Sequence, residues 1–195
     1  MARPKSNEQL PDAQARLESA FWEVLEDGPL SRISIARLAG AAGVNHNTIY
    51  YHFPGGVEDL ALYMLDKTAP LDAPDAVLME LLSSERGSLR ALHMPENLLR
   101  WRRLYLLLHC GAEEIEQQAQ SRILESFLLY HRIDRARLTK EQERLLDFIY
   151  SGMTGGLLKA YVTENDPTVF PSFLQSPLGK AILDAISTLP RSEAY

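Results

Sequence analysis

Apolar residues recur at the three- and four-residue spacing of helices along most of the chain, and the alternation typical of strands is nowhere sustained. The pattern therefore predicts an all-α protein. A first helix is expected from about Pro11 to Glu26, and loops are expected at Ser83–Asn97 and Asp166–Ser176. Further helices are predicted to begin near Val57, Asp75, Pro95, Glu113, Thr139 and Pro177, and the one that begins at Thr139 is expected to be long, ending at about Thr163.

The stretch SIARLAGAAGVNHNTIYYHF, from Ser34 to Phe53, predicts two short helices joined by a tight turn. Ser34 and Asn45 are residue types that cap a helix N-terminus, because a side-chain oxygen accepts from an unpaired first-turn N–H. Gly43 stands where a residue with positive φ closes the first helix. The spacing assigns Ile49 and Phe53 to the inside of the second helix and leaves its polar residues largely outside.

Two short helices joined by a glycine turn form the helix-turn-helix pattern, whose second helix lies in the DNA major groove. Over about residues 33–65, the runs AGV, TIYYHF, PGG and EDL closely resemble the N-terminal signature of TetR-family transcriptional regulators. The resemblance implies a three-helix helix-turn-helix DNA-binding domain at residues 1–56, with a linker helix from about Val57. It also implies a helical ligand-binding and dimerisation domain at residues 57–195. The implied function is a homodimeric repressor, released from a palindromic double-stranded DNA operator by a small-molecule effector.

The candidate DNA-binding residues lie in and beside the second short helix. Asn47 has the amide geometry to pair with adenine, and Thr48 suits a phosphate or a thymine methyl group. By resemblance to the family, the DNA-facing positions extend over most of this helix, and an ordinary polar surface helix is the alternative. With Ser34 added, the candidates are Ser34, Asn45, His46, Asn47, Thr48, Tyr50, Tyr51 and His52.

Charge weighs against strong DNA binding. The net charge is −6, and residues 1–67 carry six basic groups against nine acidic ones. Relatives usually carry a phosphate-contacting lysine where this chain has Val57. Because phosphate neutralisation supplies much of non-specific affinity, we expect poor binding to random DNA. The charge indicates either a selective, salt-sensitive DNA-binding protein or a weak one.

The helices after Pro95 carry two further candidate sites. Aromatic residues with a few polar tips suit an apolar ligand pocket, although residues at such spacing also simply fill a core. Apolar residues with glycines on the last long helices suit a four-helix interface between two copies. The pocket candidates are Trp101, Tyr105, His109, Phe127, Tyr130, Phe148 and Met153, and the dimer candidates are Leu145, Ile149, Gly152, Gly156, Leu178, Ile182 and Ala185.

The sequence contains no motif that indicates a membrane, metal-binding or enzymatic function. The single cysteine, Cys110, fits a reducing cytoplasm, and the absence of a long apolar stretch or an apolar signal core predicts a cytoplasmic protein with no membrane partner. No metal-ligand spacing, phosphate loop or nucleophile motif occurs, so no metal, cofactor or enzymatic activity is expected. The main alternative to a regulator is an all-α small-molecule-binding or interaction protein whose DNA binding is weak or lost.

Overall fold

The fold is that of a computed structural model of the chain, which describes residues 12–69, 95–164, 166 and 168–192. These residues are mostly helical, and within them no strand forms beyond one antiparallel bridge between Ile133 and Arg191. The prediction of an all-α protein is confirmed for this part of the chain. No helix in these ranges combines the length and apolarity needed to cross a membrane. The helix predicted near Asp75 and most of the loop predicted at Ser83–Asn97 lie outside the described residues.

The chain divides into two compact units, and the first extends to Met64 and includes Cys110–Ala112. Its core is built from side chains that are almost completely buried: Leu17, Phe21, Leu38, Ile49 and Leu60. Its helices are α1 (Ala13–Glu26), α2 (Ile35–Ala42), α3 (His46–His52) and the first part of α4 (Val57–Thr68), with a 3₁₀ turn at Leu30–Arg32.

Three hydrogen bonds join the other segments of the first unit to one another. The Tyr63 hydroxyl on α4 donates to the Glu18 carboxylate on α1 at 2.9 Å and accepts from the Gln14 amide at 2.7 Å. The Leu30 N–H donates to the Cys110 carbonyl at 2.7 Å, which ties the segment after α1 to residues 110–112. Hydrogen bonds of this kind favour one arrangement of the helices, because a lost partner would leave a partly buried polar group unpaired.

The second unit contains Leu65–His109 and the residues from Glu113 onward. Its helices are the end of α4, α5 (Pro95–Leu108), α6 (Glu113–Tyr130), α7 (Lys140–Gly152), α8 (Leu158–Thr163), α9 (Val169–Gln175) and α10 (Pro177–Ser187). Two arginines hold the C-terminal end of α4. Arg100 donates to the Thr68 carbonyl at 2.8 Å, and Arg122 pairs with Asp66 at 2.5 Å. Cations here complement the negative end of the helix dipole.

The predicted start of α7 is confirmed, because Thr139 and Gln142 exchange the two hydrogen bonds of a capping box. The predicted extent of this helix, to about Thr163, is confirmed, although its middle is not ordinary α-helix. A π-helical turn at Met153–Leu157 separates α7 from α8, and the Thr154 hydroxyl donates to the Tyr150 carbonyl at 2.9 Å within it. Glycines weaken the ordinary helical pattern there, at positions 155 and 156.

The prediction that Asp166–Ser176 is only a loop is also wrong, since α9 lies within it. Phe170 and Leu174 are buried, and this burial stabilises the helix. Pro171 is the third residue of α9 and does not break it, because first-turn N–H groups have no partner inside a helix. The predicted Ser176 cap before Pro177 is confirmed, with the Gly179 N–H donating to the Ser176 hydroxyl at 3.0 Å.

Candidate functional site

The connection between α2 and α3 has the geometry that its residues predict. The Ser34 hydroxyl accepts from the Arg37 N–H at 3.1 Å, and the Asn45 side chain accepts from the Asn47 N–H at 2.9 Å. Gly43 lies in the left-handed region, with φ of 61°. Both predicted caps and the predicted glycine turn are therefore confirmed.

The outward face of α3 is set by one buried residue. Ile49 is fully buried, and Phe53 just after the helix is buried as well. On the other face, Tyr51 is 83% exposed and Tyr50 is 51% exposed. Of the remaining candidates for DNA contact, Ser34, Asn45, His46 and Asn47 are exposed, while Thr48 and His52 are half-buried. This surface offers amide, hydroxyl and imidazole groups, which can donate to phosphates or read base edges.

The charge available beside this surface is small. The described part of the first unit has three arginines against seven carboxylates. Arg16 donates to the carbonyls of Ala42 and Gly43, at 3.3 and 2.9 Å, and so holds the turn after α2. Arg37 pairs with Asp27 at 2.9 Å, which leaves Arg32 as the third arginine, with an exposed side chain. Two of the three cations therefore have structural partners, and any attraction to phosphate is correspondingly weak.

The turn between α3 and α4 also carries negative charge. The Gly55 N–H donates to the Asp59 carboxylate at 2.5 Å, and a Cβ at residue 55 would collide with this carboxylate. Gly56 adopts a positive φ of 75°, and Val57 is half-buried. Asp59 thus occupies this backbone amide, which is not open to another anion.

The second unit encloses an apolar cavity of about 30 Å³. Its walls come from α5 through α9, and its polar groups are the hydroxyls of Tyr150 and Thr154. The Tyr150 hydroxyl oxygen is buried without a well-formed hydrogen bond in the described structure. Burial raises the pKa of this phenol to about 12, and a weaker interaction with the Thr154 side chain acts in the opposite direction. The lining residues are Trp101, Ile123, Leu124, Phe127, Leu146, Ile149, Tyr150, Met153, Thr154, Leu158 and Phe170.

Three of the seven predicted pocket residues line this cavity: Trp101, Phe127 and Met153. The other four lie elsewhere in the described structure. The rings of Tyr105 and His109 contact each other, with centroids 4.6 Å apart. Tyr130, expected on the inner face, is 36% exposed at the last residue of α6, and Phe148 is 67% exposed.

Sequence reasoning missed the polar lining groups of the cavity, Tyr150 and Thr154. It also missed Phe170, because this residue lay in a segment predicted to be a loop. Hydrophobic periodicity gave no signal for Tyr150, since a tyrosine beside a buried stripe is as compatible with solvent as with a cavity.

An apolar groove of about 200 Å³ lies on the surface of the second unit. It is lined by residues of α7, the π-helical turn, α9 and α10, and it contains five of the seven predicted dimer residues: Ile149, Gly152, Gly156, Leu178 and Ile182. Leu145 and Ala185 are half-buried and do not line it. A Cβ added at Gly152 or Gly156 would meet nothing within 4 Å. Close packing against the described residues therefore does not explain these glycines.

The cavity and the groove share a wall. Ile149 and Met153 line both of them, from the last turn of α7 and the first residue of the π-helical turn. A movement of the Met153 side chain in response to an occupant of the cavity would consequently change the shape of the groove.

The remaining titratable groups form no second site in the described structure. Burial and the charge of Arg191 lower the pKa of His131 to about 4, so this imidazole is neutral at physiological pH. Within the described ranges, no group of three histidine, cysteine, aspartate or glutamate residues is arranged to hold a metal ion. No family model, curated protein or solved structure matches the chain. Function must therefore be inferred from the residues themselves.

Two glycine substitutions test the turn that orients α3. Gly43→Ala is expected to lower the free energy of unfolding by about 1 kcal/mol, because a left-handed φ is unfavourable for alanine. The added Cβ would lie 3.6 Å from Arg16, an ordinary contact, so the cost is one of backbone conformation. Gly40→Ala, within α2 and facing open space, is the matched control and should raise stability by about 0.5–1 kcal/mol. Urea unfolding followed by circular dichroism measures both, and a stabilising Gly43→Ala would contradict the assigned turn.

Proposed function

We propose that this chain is a ligand-responsive transcriptional regulator of the TetR type, which binds a palindromic operator as a homodimer. The observation that carries the proposal is the geometry of α2 and α3. A capped helix, a left-handed glycine and a second capped helix anchored by Ile49 leave Tyr50 and Tyr51 of the TetR-like TIYYHF segment exposed and Thr48 and His52 partly exposed. A surface of this kind suits the major groove, where a short helix places its side chains against base edges.

The chemistry of α3 indicates how an operator would be recognised. Asn47 supplies a donor and an acceptor for adenine, and Thr48 supplies a hydroxyl and a methyl group for a phosphate or thymine. Tyr51, the most exposed aromatic residue of α3, is free to reach the groove. Because arginine contributes little here, base contacts carry a larger share of the affinity than they do in a basic DNA-binding domain. The complex should be selective and readily dissociated by salt.

The surface groove supports the homodimer. Phe148 and Leu178 are 67% and 59% exposed and border two glycines that leave room for an approaching helix. A second copy of α7 and α10 would cover these apolar residues in a four-helix arrangement. A two-fold dimer also presents two copies of α3 to the two halves of a palindrome.

The cavity supports ligand control. Arg100 and Arg122, which hold the end of α4, immediately precede the cavity residues Trp101 and Ile123. The helix α4 contributes residues to both units. A ligand that displaces α5 or α6 would therefore move the end of a helix whose first part belongs to the first unit, which carries α3. The shared wall at Met153 offers a second route, to the dimer interface. Either route requires the ligand to bind one state more tightly than the other.

The second candidate function is an all-α ligand-binding or interaction protein with weak or lost DNA binding. The acidic first unit favours it, together with the engagement of Arg16 and Arg37 and the carboxylate of Asp59 at the turn before Val57. The two candidates differ in one property, which is selective binding to DNA.

Tyr51→Ala tests DNA recognition. We expect it to weaken binding to an operator roughly tenfold, the factor that corresponds to one specific contact of about 1.4 kcal/mol. Fluorescence anisotropy at two salt concentrations, on DNA fragments from beside the chain's own gene, measures the affinity, with random DNA as the reference. Tyr130→Ala, an exposed tyrosine of the second unit, is the control and should leave affinity unchanged. Equal losses in the two variants, or loss of the dimer in Tyr51→Ala, would contradict the role given to α3.

Leu178→Glu tests the dimer interface. Burying an unpaired carboxylate in the groove is strongly unfavourable, so the variant should sediment as a monomer at micromolar concentration. Leu129→Glu is the matched control, because Leu129 is also 59% exposed but does not line the groove. Sedimentation equilibrium distinguishes the two. A Leu178→Glu variant that remains dimeric would exclude this groove as the interface.

A further inference from the structure

The walls of the cavity restrict the charge of its occupant. All eleven lining residues are uncharged, and only Trp101, Tyr150 and Thr154 among them carry an N–H or O–H group. A carboxylate or ammonium group that entered this space would lose its hydration without gaining an ion-pair partner, which is strongly unfavourable. The lining therefore selects a neutral molecule.

The polar groups of the cavity restrict its hydrogen bonding. The Thr154 hydroxyl donates to the Tyr150 carbonyl, whereas the buried Tyr150 hydroxyl has no well-formed hydrogen bond in the described structure and interacts only weakly with the Thr154 side chain. Buried hydroxyl groups are normally paired, and an oxygen on an occupant would satisfy this one. Because the phenol remains protonated at physiological pH, it can donate to that oxygen.

The shape of the lining favours a ring. Trp101, Phe127 and Phe170 contribute aromatic side chains to the wall, and aromatic pairs gain from edge-to-face and offset contacts. The space of about 30 Å³ holds about two water molecules, so a larger occupant must displace a side chain. Met153, unbranched and flexible, is the residue suited to move.

We propose that the cavity binds a small uncharged aromatic molecule with one hydrogen-bond-accepting oxygen, which accepts from the Tyr150 hydroxyl. The assignment rests on the ligand-binding role proposed above for this cavity. It names the class of effector, and it identifies Tyr150 as the residue that distinguishes this class from a pure hydrocarbon.

A comparison of three single-ring probes tests the proposal on the full chain without DNA. Acetophenone has the required oxygen, α-methylstyrene replaces that oxygen with a methylene group, and benzoate adds charge. Isothermal titration calorimetry should find saturable binding of the two neutral probes and none of benzoate. Because the neutral probes differ in hydration, the informative quantity is the ratio of their dissociation constants in the wild type and in Tyr150→Phe.

Tyr150→Phe should shift that ratio against acetophenone by about 3- to 10-fold, as expected for one neutral hydrogen bond. Tyr130→Phe, which removes a hydroxyl outside the cavity, should leave the ratio unchanged. In a Trp22→Phe variant, Trp101 is the one remaining tryptophan of the chain. Titrating its fluorescence with acetophenone should give the same dissociation constant as calorimetry.

The proposal is overturned if none of the probes binds, if benzoate binds as tightly as acetophenone, or if Tyr150→Phe leaves the ratio unchanged. A water molecule as the normal partner of Tyr150 would produce the last of these results. Because the titrations contain no DNA, a failure of the probes to bind would not contradict operator binding, which is measured separately. Probe binding without any operator binding would instead favour the second candidate function.

Discussion

A helix of seven residues cannot hold itself together in water, and this constraint governs the first unit. α3 persists because Ile49 and Phe53 are buried against the rest of the unit and because Asn45 satisfies its first turn. The same burial determines which side chains face outward. The exposed polar and aromatic surface of α3 is therefore a consequence of its core contacts, and the turn at Gly43 sets the direction from which the helix starts.

The first unit uses much of its positive charge for its own structure. Arg16 satisfies carbonyl groups at the end of α2, and Arg37 pairs with Asp27. Both contacts steady the frame around α3 and reduce the attraction to phosphate. If the proposed function is correct, such a unit would depend on base contacts and on a second copy for its affinity. It would then reject random DNA more strongly than a basic domain does.

Sequence reasoning succeeded where structure depends on neighbouring residues. The caps at Ser34, Asn45, Thr139 and Ser176 follow from local chemistry, and each is present in the structure. It was less successful where structure depends on how helices face one another. Phe148 and Ile149 are adjacent, yet one is exposed and the other is buried, and only the packing of α7 decides which. The loop expected at Asp166–Ser176 contains α9 instead, because Pro171 lies in the first turn of that helix, where proline is tolerated.

In the second unit, the cavity and the groove depend on the same short segment. Ile149 and Met153 separate the two spaces, and the π-helical turn begins at Met153. π-Helical turns occur frequently at functional sites, where they interrupt the regular hydrogen bonding of a helix. In the proposed regulator, this segment would convert a change inside the cavity into a change at the surface that a second copy covers.

The most direct test of the central claim is hydroxyl-radical footprinting of the full chain on DNA from beside its own gene, at low salt. A homodimer that binds a palindrome with two copies of α3 should protect two patches of DNA related by two-fold symmetry. The centres of these patches should be separated by one or more helical turns of about 10 base pairs each. Uniform cleavage at a protein concentration that saturates the DNA would contradict specific reading by α3. A single protected patch would contradict the dimeric arrangement.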